Sequence, residues 1–108
     1  MNKRNDPNWA SGALKQLNKA ARSAWTKIDA QGGQPECIHK QWQFDDFIQA
    51  FGFMSQVALL AETQGHHPDW SNSYAKVDIR LSTHDQGGLS EKDFALAQAI
   101  EALSPRGE

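Results

Sequence analysis

A chain of 108 residues, 39% hydrophobic and 22% charged, has the size and balance of one compact globular domain. A formal net charge of -2 offers no basic face to a phosphate backbone, which argues against nucleic acid as a partner. No apolar run reaches the roughly 20 residues of a membrane span, no signal peptide follows the basic start, and a lone cysteine allows no internal disulfide, so a cytoplasmic protein without a membrane partner is expected.

A single domain over 1–108 is expected, with the polar residues 1–8 loose. Leu14, Leu17 and Ala21 recur at helical spacing and predict an amphipathic helix over 9–22. The stretch 23–31 alternates more like a strand, with Trp25, Ile28 and Ala30 at its apolar points. Gly32-Gly33-Gln34-Pro35 signals a turn, and a second strand follows over 38–44, with Ile38, Trp42 and Phe44 apolar. Asp45 or Asp46 can cap a long helix over 47–63, because a carboxylate there accepts orphan backbone N–H groups.

That helix is apolar around most of its circumference. Phe47, Phe51, Met54 and Ala58 form one stripe, expected against a sheet. Ile48, Phe53, Val57 and Leu60 form another, expected outward in a subunit interface, with Phe53 the most prominent residue. Gly65 stops the helix, and two strands follow over 70–74 and 77–81, the second alternating Val77, Ile79 and Leu81 with Asp78 and Arg80. Ser90 and Asp93 form a capping box that opens a last helix with Phe94, Ala97, Ile100 and Leu103 on its apolar face. The order α-β-β-α-β-β-α predicts an α+β fold, a four-stranded antiparallel sheet with three helices on one face.

Chemistry concentrates in Glu62, His66, His67, Pro68, Asp69 and Trp70, with His84 after the last strand. Three of the four histidines fall here, and imidazole, with an unperturbed pKa near 6.5, gives and takes protons near neutrality. A random His-His pair is most often a solvated loop. This one sits at a helix end before a rigid proline and a tryptophan, which favours function. His84 alone would be an exposed loop histidine, and its weight comes from the other two. Glu62 stands one helical turn before His66 and competes with a plain surface ion pair; Asp69 has the same standing. Trp25 and Trp70 read as core or rim, Cys37 and His39 as structural. Glu62, His66 and His84 could supply three metal ligands, but adjacent histidines diverge and the two-His-four-apart spacing of zinc hydrolases is absent, so no metal is expected.

Glu62-x-x-x-His66-His67-Pro68-x-Trp70, Tyr74-x-Lys76-Val77, Leu81-Ser82-Thr83-His84, Gly88-Leu89-Ser90 and Asp93 together resemble the pterin-4a-carbinolamine dehydratases. Phe47-x-x-Ala50-Phe51-x-Phe53-Met54-x-x-Val57-Ala58 is similar to that family's central helix, and the likeness runs from about Trp25 to Leu103. Ser73 and Ala75 depart from the family's usual residues, in the strand hairpin rather than among the histidines. The resemblance implies an α+β homodimer or homotetramer that binds a pterin, needs no cofactor, and converts 4a-hydroxytetrahydropterin to quinonoid dihydropterin in tetrahydrobiopterin recycling, coupled to an aromatic amino acid hydroxylase. It implies His66 and His84 as the acid–base pair, His67 to bind or orient the pterin, Glu62 to orient an imidazole, and a substrate-binding wall of Trp25, Pro68, Asp69 and Trp70. A non-catalytic interaction or coactivator module on the same fold is the alternative.

Overall fold

In a computed structural model, which describes residues 8–103 and 105, three helices cover one face of a four-stranded antiparallel sheet. Helix α1 spans Trp9–Ala20, strand β1 Thr26–Ile28, β2 Cys37–Gln43, helix α2 Phe47–Gln64, β3 Asp69–Ser73, β4 Lys76–Leu81 and helix α3 Glu91–Ala102. Strand order is β1-β2-β4-β3, so the two hairpins meet along β2 and β4, with Trp42 opposite Val77 and Ile38 opposite Leu81. The α+β architecture is as expected. The expected looseness of 1–8 falls, apart from Asn8, outside the described residues.

Two elements differ from expectation by more than a residue, for local reasons. Helix α1 ends at Ala20 because Asn18 turns its side chain to the next segment, donating to Trp25 O at 3.1 Å and accepting from Trp25 N at 2.9 Å. Strand β1 has only three residues, since Gln31 and Gln34 pair with each other across the turn instead of extending the ladder. The later hairpin turns tightly at Tyr74, whose φ of 52° is the left-handed conformation that such turns demand.

The core lies between sheet and helices. Ile38, Trp42, Val77, Ile79 and Leu81 from the sheet are fully buried against Leu17, Val57, Leu96, Ala97 and Ile100. Helix α2 corrects the expected facing. Its sheet-facing stripe is Ala50, Phe53, Val57 and Ala61. Phe53 is 6% exposed, with its ring 4.9 Å from Trp42 and 5.2 Å from Phe44. Phe47, Ile48, Phe51 and Leu59 face outward, at 44%, 81%, 55% and 71% exposure. Both stripes recur at helical spacing and both are apolar, so periodicity alone cannot choose between them. The choice falls to shape, because Phe53 meets two aromatic rings of β2 and the segment after it.

Candidate active site

Each histidine of the sequence cluster is brought to its place by a chain terminator. Asp46 caps α2 by accepting Gln49 N–H at 2.9 Å. At the other end Gly65 takes φ 64°, open to a residue without a β-carbon, and stops the helix. Gly65 N–H donates to Glu62 O at 3.2 Å and His66 N–H to Ala61 O at 3.1 Å, the paired bonds of a Schellman cap. The backbone of His66 is therefore fixed by helix termination itself. His84 begins a 3-10 turn over His84–Gln86, closed by Gly87 at φ 67°.

Three histidine–carboxylate pairs result, and they differ in strength. His66 Nε2 lies 2.6 Å from Asp93 Oδ1, with side-chain exposures of 11% and 0%. His67 Nε2 lies 3.0 Å from Glu62 Oε1 on open surface, 64% and 81% exposed. His84 Nε2 stands 3.4 Å from Asp69 Oδ2, again exposed. A carboxylate within hydrogen-bond reach orients the ring and fixes which nitrogen bears a proton. Only the first pair does this out of water.

Glu62 partners His67, not His66. Glu62 would share a face with His66 only in a helix continuing to His66; the left-handed Gly65 breaks it and swings His66 away towards α3. Asp93 takes that place, and it is the residue that reading the residues alone left as a helix cap. It fills both roles. Oδ2 accepts Ser90 N–H at 2.9 Å, completing the capping box, while Oδ1 holds His66. The available signal was its place in the spaced motif beside His66, His67 and His84.

The expected wall residues fall in two places. Asp69 and Trp70 begin β3 after a half-buried Pro68, with Trp70 partly buried against the core. Trp25 lies in the core. It is 1% exposed, packed edge-on to Trp42 at 5.5 Å, and its indole N–H donates to Glu101 Oε2 at 2.9 Å. An alternating strand pattern marks a residue as inward without saying that inward is core.

Beside His84 a shallow hollow of about 490 Å3 opens against Ala30, Gly33, Pro35 and Gly87. A neighbouring one of about 70 Å3 shares Pro35 and is lined by Asp69, Arg80, Cys37 and Ser82. The first is in the size range of small-molecule sites; the second takes only a substituent or water. Burial pushes the Cys37 thiol up from its ordinary pKa, which makes it a poor nucleophile there. His39 pairs with Asp78 at 2.7 Å, apart from the cluster. Among the described residues no group of three or more His, Cys, Asp or Glu side chains is arranged to hold a metal ion. No helix of the described residues is long and apolar enough to cross a membrane.

Comparison with known proteins adds a family. The family model described as "Pterin 4 alpha carbinolamine dehydratase" matches residues 7–103. A protein of Prochlorococcus marinus (strain MIT 9303), provisionally named pterin-4-alpha-carbinolamine dehydratase, is 49% identical over 92 residues, 83% of this chain and 90% of the relative. One from Rhodospirillum rubrum with the same provisional name is 57% identical over 79 residues, 73% of this chain and 78% of the relative. A crystal structure from Brucella melitensis, described as a transcriptional coactivator/pterin dehydratase, superposes with a TM-score of 0.76 at 38% identity, covering 90% of this chain and 94% of that one. A pterin dehydratase-like protein, described as a RuBisCO assembly factor in the alpha-carboxysome, superposes with a TM-score of 0.62 at 26% identity, covering 77% and 92%.

Proposed function

Because the chain belongs to the pterin-4a-carbinolamine dehydratase family, we propose that it is a cytoplasmic hydro-lyase that converts 4a-hydroxytetrahydropterin to quinonoid dihydropterin. The observation that carries the reading is the set of three histidines, each with its own carboxylate, at the end of α2 and the turn after β4. The substrate bears a hydroxyl on C4a beside N5–H. An acid protonates that hydroxyl, the C4a–O bond breaks, and water leaves. The N5 lone pair forms the C4a=N5 bond, and a base removes the N5 proton. Atoms and charge balance without a redox step, so the reaction needs only two positioned proton-transfer groups, each contributing roughly 10²–10⁴-fold.

His66 and His84 are those groups in this proposal. His67, exposed and paired with Glu62, binds or orients the pterin, with Pro68, Asp69 and Trp70 beside it. The hollow beside His84 is large enough for a bicyclic ring. Such an enzyme would serve tetrahydrobiopterin recycling after an aromatic amino acid hydroxylase. The test is a coupled hydroxylase assay: purified chain should speed quinonoid dihydropterin formation above the spontaneous rate, unaffected by chelators. A chelator-sensitive rate restored by zinc or iron would replace this mechanism with a metal-dependent one.

A second reading is a non-catalytic interaction module. It is favoured by the outward apolar residues of α2 and by relatives described as a coactivator and an assembly factor. No acceleration in the assay would favour it. Under either reading we propose that Phe47, Ile48, Phe51 and Leu59 are covered in a homodimer or homotetramer, since monomers rarely leave such a patch wet. Phe51→Glu should dissociate the oligomer in light scattering, whereas Phe53→Glu should unfold the chain. A wild-type chain running at 12.0 kDa at micromolar concentration would overturn the assembly proposal.

A further inference from the structure

Thr83 immediately precedes His84, and nothing in the acid–base reading uses it. Its side chain is buried. Its Oγ1 donates to Asp93 Oδ2 at 2.9 Å and pairs with Ser90 Oγ at 2.6 Å. A hydroxyl has one proton to give, and that of Thr83 goes to Asp93, so Ser90 is the donor in the second bond. Ser90 Oγ in turn accepts Lys92 N–H at 3.3 Å. Both hydroxyls are thus engaged as donor and acceptor in one directed chain, Ser90 to Thr83 to Asp93, and each bond polarises the next.

Oδ2 of Asp93 receives two donors, Thr83 Oγ1–H and Ser90 N–H. That leaves Oδ1 aimed at His66 Nε2, 2.6 Å away. An ionised carboxylate only accepts, so the proton in this bond belongs to Nε2. In the neutral ring Nδ1 is then the nitrogen with a free lone pair. The main chain of Thr83 serves the other histidine. Thr83 N–H donates to Gly88 O at 2.6 Å, and Thr83 O accepts from Gln86 N at 3.0 Å and Gly88 N at 3.3 Å. These bonds close the turn that carries His84.

We propose that Thr83 is a positioning residue for both histidines: its hydroxyl locks Asp93, and through it the Nε2–H form of His66, while its main chain fixes the His84 turn. The catalytic consequence rests on the acid–base reading above; the tautomer does not. Nδ1 of His66 is the nitrogen that exchanges a proton with substrate.

The variants are Thr83→Val, of the same shape without the hydroxyl, and Thr83→Ser, which keeps it. The full chain is labelled with 15N-histidine and examined without ligand by long-range 1H–15N correlation. At a pH where the ring is neutral, wild type should show His66 with Nε2 protonated and Nδ1 bare. In Thr83→Val, with its melting temperature checked, that pattern should give way to mixed tautomers, and kcat should fall about tenfold to hundredfold with KM nearly unchanged. Thr83→Ser should restore both readings. A neutral wild-type His66 protonated at Nδ1 instead of Nε2, or already a tautomer mixture, overturns the proposal even if Thr83→Val fails to fold. So does a folded Thr83→Val with wild-type His66 signals. If wild type lacks dehydratase activity, the function proposal falls and the histidine spectra still decide the role of Thr83.

Discussion

Asp93 in the first turn of α3 and Glu101 in its last are both carboxylates taken out of water, with side-chain exposures of 0% and 7%. Both are densely bonded. Asp93 holds His66, Thr83 and the Ser90 backbone. Glu101 Oε2 accepts from Lys40 Nζ at 2.8 Å and from the Trp25 indole at 2.9 Å. Lys40 also donates to Ser23 O at 2.9 Å and sits 5.2 Å from the Trp42 ring centroid. Burial and hydrogen bonding are alike in the two networks, so neither property marks a site. What separates them is the last partner. Asp93 ends on an imidazole that still reaches the surface, beside a turn with a second histidine. Glu101 ends on an ammonium that is 2% exposed and an indole inside the core. One network orders an imidazole at the surface; the other ties β2 and the segment before β1 to α3.

The largest effect expected from this contrast lies at the histidines. His66→Ala or His84→Ala should lower turnover by about 10²–10⁴-fold with the fold intact by circular dichroism, whereas His67→Ala should mainly raise KM. Near-normal turnover in both of the first two would remove the distinction between the networks. The pH–rate profile of wild type should show two limbs, since one histidine enters protonated and the other does not.

Matched amide substitutions sharpen the comparison. Asp93→Asn should cost about 100-fold in kcat through a displaced His66. Glu101→Gln should leave kcat unchanged and lower unfolding free energy in urea by about 1–3 kcal/mol, because Lys40 keeps its charge in a dry place with a weaker partner. Equal kinetic losses in the two would show that rigidity of α3, not orientation of His66, is what the assay reads.

A smaller effect is expected in the pH dependence of stability. Burial holds the Lys40 ammonium below the ordinary lysine value of 10.5, against the opposing pull of Glu101. In the unfolded chain the amine keeps its proton up to that ordinary value. Between the lowered folded value and 10.5 the unfolded state binds more protons, so this group's contribution to stability rises with pH. The melting temperature of wild type minus that of Lys40→Met should therefore rise as pH climbs towards 10. A constant gap would mean that the amine titrates normally in the fold. Least affected should be Glu62→Gln: both partners of its pair are mostly exposed, and the stability change in urea should stay under about 1 kcal/mol.

What depends on near neighbours can be read along the chain. The long helix, a cap at Asp45 or Asp46, the Gly65 stop and the Ser90–Asp93 capping box act within a turn or two of chain and stand where spacing placed them, whereas the ends of α1 and β1 do not. The histidine cluster was legible for the same reason, since its unusual composition is local. The pairings come from long-range packing. Asp93 reaches His66 because α3 packs against α2, and no periodicity encodes that distance. Glu62 turns to His67 because one left-handed glycine redirects the chain. Phe53 faces inward and Phe51 outward because the rings of Trp42 and Phe44 fit one apolar stripe of a helix that offered two. Trp25 lies in the core because Glu101, far along the chain, supplies the acceptor its indole N–H needs once water is gone. Local chemistry sets which residues can act; long-range packing sets which of them meet.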